Sequence, residues 1–119
     1  MSVAPTAEPS GPARPAQRES RVLWELHQAV SRRLAADAAP VMAVIPRNLA
    51  RSRHQVTGSV AQQWLDEWEA AYRDGPQALI ALCAAPGDHG DSLRQVSPFA
   101  GALPNAERLA AIRRAQGSP

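Results

Sequence analysis

The chain has 119 residues, enough for one domain around a single modest core. Its 13 basic residues are all arginine and face 11 acids, and a net charge of +2 excludes the uniform heavy basicity of a general nucleic-acid binder. A single cysteine, Cys83, excludes an intrachain disulfide and suits a reducing cytoplasm, and no apolar run approaches membrane-spanning length.

Charge is arranged in blocks. Residues 18–56 carry seven arginines against three acids, 60–91 one against six, and 92–119 four against one. Such alternation favours a body that packs on itself or on a charged partner. Alanine supplies 24 residues of the hydrophobic fraction, so the core is thinner than that fraction implies. A partner, or a second copy as a homodimer, would then add stability. Few Val, Ile and Thr residues and no period-2 run exclude a sheet. The expected fold class is a small all-α domain, orthogonal or bundle-like, of five to six short helices behind a disordered Pro-rich N-terminal tail.

Residues 1–19 hold four prolines and no apolar run, which predicts a tail without a signal peptide or membrane anchor. The domain is expected over 20–115, with a frayed end at 116–119. The first helix is predicted from Arg21 to Ala38, its apolar arc formed by Val22, Leu23, Leu26, Val30 and Leu34. His27 lies at the edge of that arc and reads as an ordinary packed histidine. Trp24 lies off it, either exposed as a partner anchor or covered by another part of the chain.

The segment 40–56 admits two readings. Either a helix from Val41 is kinked at Pro46, or an extended Val41–Ile45 run precedes a helix that Pro46 begins. In both, Ile45, Leu49 and Val56 share one side while Arg47, Arg51 and His54 share another. That stripe suits phosphates or an acidic helix face, with Arg53 pointing elsewhere.

Ser59 to Asp74 is predicted as an acidic amphipathic helix opened by a Ser59–Gln62 capping box. Val60, Trp64, Leu65, Trp68, Ala71 and Tyr72 form its apolar face, and Asp66 and Glu69 its polar one. Gly75-Pro76 separates it from an apolar helix over Pro76–Ala85, which buries Cys83 and raises its pKa. Asp88-His89-Gly90-Asp91 reads as an inter-helix loop. A short helix is predicted over 91–96, then a turn in which Phe99 plugs the core, then a last helix over Asn105–Ala115 with Leu109 and Ile112 inward. Arg113 and Arg114 stand at its C-terminus, where cations complement the helix dipole.

Catalytic and metal signatures are missing from the sequence. The spacing of Asp88, His89 and Asp91 matches no defined metal site, and no phosphate loop, nucleophile elbow or dinucleotide fingerprint occurs. No enzyme, metal or cofactor is expected.

The strings W-L-D-E-W at 64–68, D-G-P at 74–76, L-R-Q-V-S-P-F-A-G at 93–101 and E-R at 107–108 resemble a pattern of small bacterial helical proteins, and N-L-A-R at 48–51 extends the resemblance. It implies an antitoxin-like or regulatory accessory role, in some cases beside a helix-turn-helix regulator. The chain departs from the pattern in having no helix-turn-helix ahead of these strings, which argues against direct DNA binding. It departs again at Pro104, where a Ser or Thr cap is natural. The resulting expectation is a protein-binding module of the bacterial cytoplasm, touching its partner through Trp24, Arg47, Arg51, Asp66, Glu69, Arg94 and Gln95. The alternative is a weak nucleic-acid binder using Arg47, Arg51, Arg53, Arg113 and Arg114. A membrane partner is not expected.

Overall fold

Prolines and glycines punctuate the chain into six helices in the computed structural model, which describes residues 15–117. These are α1 (Pro15–Ala36), α2 (Ala39–Gln55), α3 (Ser59–Asp74), α4 (Pro76–Cys83), α5 (Gly87–Gln95) and α6 (Asn105–Ala115). No strand occurs among the described residues, so the all-α expectation holds. No described helix is long and apolar enough to cross a membrane.

Several boundaries differ from expectation for identifiable reasons. Helix α1 starts at Pro15, six residues before Arg21, because proline is well tolerated in a first turn whose N–H groups lack intrahelical acceptors. The expected tail is therefore helical over 15–19, while its first 14 residues lie outside the described range. The segment around Pro46 forms one continuous helix, with Pro46 inside α2. The extended alternative for Val41–Ile45 is set aside, since Val41 and Ile45 are both fully buried on the inner face of that helix. Residues Asp88–Asp91, expected as a loop, lie in the first part of α5.

The capping box also fails to form. Gly58, at φ 91°, is the N-cap residue, and Ser59 is already helical with no side-chain cap bond at that end. Gln62 turns the other way. Its Nε2 donates to the carbonyls of Arg53 and Val56 at 3.3 and 3.2 Å, closing the C-terminal end of α2. The predicted pair of residues thus serves the preceding helix rather than its own.

Helix α1 is the central element, packing against α2, α4, α5 and α6. Helix α6 runs antiparallel to it, since Arg33 pairs with Glu107 near one end and Arg21 reaches the Ala115 carbonyl near the other. The core gathers Val30 and Leu34 of α1, Ile45 and Leu49 of α2, Leu65 and Trp68 of α3, Leu79 and Cys83 of α4, and Leu93 and Phe99. Trp68 is fully buried, and its Nε1–H donates to the Leu93 carbonyl at 2.8 Å. Phe99 meets it edge-on at 5.2 Å between centroids, so the expected plug is in place. Val60 and Leu109, expected inward, are 55% and 38% exposed. Helix α3 buries Leu65, Trp68 and Ala71, and α6 buries the small residues Ala111 and Ala115.

Candidate interaction surface

Three buried polar side chains, His27, Asn48 and Arg94, organise the interior, and each acts on backbone carbonyls. His27, on α1, lies against Trp68 and Phe99 with its Nδ1 2.6 Å from the Leu23 carbonyl and Nε2 2.7 Å from Ser97 Oγ. A carbonyl can only accept, so Nδ1 carries the proton and Nε2 accepts from the Ser97 hydroxyl. Asn48 of α2 donates to the carbonyls of Pro98 and Ala100, both at 2.9 Å. The 97–101 turn is thereby held from two sides, by α1 and by α2.

Arg94 completes the set. Its Nη1 donates to the carbonyls of Cys83 and Ala85, and its Nη2 to Asp91 Oδ1 at 2.9 Å. Gln28 reaches the same Cys83 carbonyl. These donors satisfy acceptors at the C-terminal end of α4, where the helix dipole also favours a cation. The guanidinium lies 5.0 Å from the centroid of the Trp24 ring, a cation–π contact.

Ser97 and His27 have the spacing of a nucleophile and its base, a juxtaposition that their separation in sequence concealed. Their electrostatics differ from those of an activated pair. Burial, partly offset by the Leu23 carbonyl and reinforced by Arg94, pushes the imidazole down to about 4. The third member is a neutral carbonyl, which supports an imidazolium far less than a carboxylate does. Cys83 is fully buried, and loss of hydration pushes its thiol up to about 12, with Ser31 and Arg94 opposing weakly. His89 pairs with Glu67 on the exterior, and among the described residues no group of three potential ligands could hold a metal ion.

The residues expected to face a partner separate into three groups. Arg47 and Arg51 are exposed on α2 with no ion-pair partner among the described residues, and Arg113 stands similarly at the end of α6. Trp24 is 37% exposed, with one face under Arg94. Asp66 and Glu69 instead receive Arg53, at 2.9 and 2.6 Å, and Glu69 also pairs with Arg73. Arg53, assigned to nucleic acid in the alternative, is thus the dock for the acidic helix. The bonds from Glu69 and then Asp66 hold its pKa above the ordinary value. Arg114 pairs with Glu25. Arg94, expected at a surface turn, is buried, whereas Gln95 beside it is exposed.

One feature escaped the sequence reading. Two recesses of about 470 and about 630 Å³ share Leu23 and Gln95 in their walls, forming one groove along α1. Its floor is Leu23, Leu26 and Val30, and Phe99 and Leu103 line one side. Periodicity placed the three α1 residues on an apolar arc, but only the fold shows that no described residue covers Leu23 and Leu26 fully. No family model matches the chain, and neither curated proteins nor solved structures provide a match.

Proposed function

We propose that the chain is a non-enzymatic protein-interaction module of antitoxin-like or regulatory accessory type, working in the bacterial cytoplasm with Cys83 reduced. One observation carries the proposal: the groups with reactive chemistry are buried and committed to holding the fold, while recognition groups remain outside. His27 and Cys83 are held in their neutral forms, whereas Trp24, Arg47 and Arg51 stay at the surface. Tryptophan and arginine are the residues most often found dominating binding energy at interfaces.

The test is affinity purification of the full chain from its native cells at moderate salt. A stoichiometric protein partner is expected, retained by the wild type and depleted by Trp24→Ala or by the double reversal Arg47→Glu, Arg51→Glu. A chain that emerges alone, as a monomer, at every salt concentration tested would overturn the reading.

The cations Arg47, Arg51 and Arg113, which have no ion-pair partner among the described residues, support a second reading, direct contact with nucleic acid. About three phosphate contacts would make affinity for duplex fall about 20-fold over a threefold rise in salt. Duplex binding with that dependence, abolished by the same double reversal, would favour the second reading over the first.

A further inference from the structure

We infer that His27 is a proton-operated catch: when its ring is protonated, residues 97–103 lift away from α1 while the six helices stay formed. The movement is independent of the interaction-module reading. Residues 96–104 are the longest non-helical stretch of the described chain. Among the described residues, three side-chain hydrogen bonds from α1 and α2 tie it down. Ser97 meets His27 Nε2 at 2.7 Å, and Asn48 donates to the Pro98 and Ala100 carbonyls, both at 2.9 Å. Phe99 adds edge-on packing against Trp68 and His27. Segments secured by few hydrogen bonds open locally at a lower free energy than helices need to unfold.

Of these ties, the one through His27 can be switched by a proton. The ring is buried against the uncharged Trp68 of α3 and against Phe99, and Nδ1 donates to Leu23 on its own helix. Arg94 of α5, itself paired with Asp91, disfavours a charged ring, and Arg108 of α6 borders the same recess. No carboxylate among the described residues lines that recess. An imidazolium there loses hydration without gaining a counter-ion. Departure of Ser97 and Phe99 admits water to the ring, so acid favours the open form. The Asn48 bonds are indifferent to pH and restore the closed form when the proton leaves. Opening turns Phe99, the chain's one phenylalanine, from the core toward solvent, so acid changes the apolar surface that the molecule presents.

Native-state hydrogen exchange on the full chain tests this, read at the Ala102 N–H, which donates to the Phe99 carbonyl inside the segment at 2.9 Å. The amides of Leu65 and Trp68, in the core of α3, report global unfolding. At low urea Ala102 should show a protection factor below theirs and nearly independent of urea, because a local opening exposes little surface. From pH 7 to pH 5, after correction for intrinsic rates, that factor should fall about 20-fold, since the ring titrates at about 4 when buried and 6.5 when exposed. His27→Gln, neutral throughout, should hold it within about twofold over the same range. Ala102 protection that matches Leu65 in size and urea dependence would overturn the inference, because the opening is then global. A factor unchanged between pH 7 and pH 5, or a fall that persists undiminished in His27→Gln, would overturn it as well. The wild type alone decides the first two outcomes if the variant does not fold.

Discussion

His27 couples stability to pH. Its pKa is about 4 in the folded chain against 6.5 when unfolded, so between those values the unfolded state binds a proton that the folded state refuses. The contribution is complete above pH 6.5 and is lost as pH falls toward 4. About 2 kcal/mol should disappear between pH 7 and pH 5, where most carboxylates remain ionised. Urea unfolding across that range would measure it, and His27→Gln should flatten the dependence. Gly90 gives a second test at this scale. Helix propensity alone predicts that Gly90→Ala gains up to about 1 kcal/mol. A Cβ there would lie 1.8 Å from the carbonyl oxygen of Ala85, in the link between α4 and α5, so that link would have to move away from α5. We expect a net loss of at least about 2 kcal/mol, read as a lower urea midpoint. The sequence showed Gly90 as a turn residue because close approach of a helix to the preceding link leaves no local signature.

Helices α2 and α3 are latched by a bilateral exchange. Arg53 reaches from α2 to Gln62, Asp66 and Glu69, while Gln62 returns to carbonyls at the end of α2. Gln62→Ala removes the only part of this that closes a helix end, and should cost about 1–2 kcal/mol by thermal or urea unfolding. The exposed ion pairs should contribute less each, and added salt should weaken them. Helix α3 was legible as an element because its apolar residues recur at helical spacing and Gly58 and Gly75 bound it. The direction of Gln62 was not, since a glutamine at the fourth helical position can serve either the cap before it or the helix before that. Pro46 illustrates the same limit. Its ring removes one hydrogen bond, yet burial of Val41 and Ile45 before it and Leu49 after it outweighs the loss.

Across the whole molecule, the alternating charge blocks resolve into internal pairing and external residue. Within α3, Asp66 and Glu69 pair with Arg53 and Arg73, and α1 and α6 exchange Arg33–Glu107 and Arg114–Glu25. Among the described residues, Arg47, Arg51 and Arg113 are left on the surface without an ion pair, as are the carboxylates of Asp37, Asp74 and Asp88. Because these have no partner among the described residues, reversing Arg47 and Arg51 together should leave stability within about 0.5 kcal/mol of wild type. A thermal melt would check this, and near-native stability with lost partner binding would separate recognition from folding. Composition and block charge made the fold class and the paired surface readable. The groove was not, because it depends on how the 97–103 segment lies beside α1.

Asn48 recognises the 97–101 turn by main-chain oxygens alone, which creates an asymmetry in mutational tolerance. The outward methyl of Ala100 can be exchanged for many side chains, since the oxygen that Asn48 grips belongs to every amino acid. Asn48 itself has no such latitude: aspartate there, nearly identical in shape, would aim negative charge at two acceptors. Random mutagenesis under selection for soluble chain should therefore recover diverse residues at 100 and asparagine almost alone at 48.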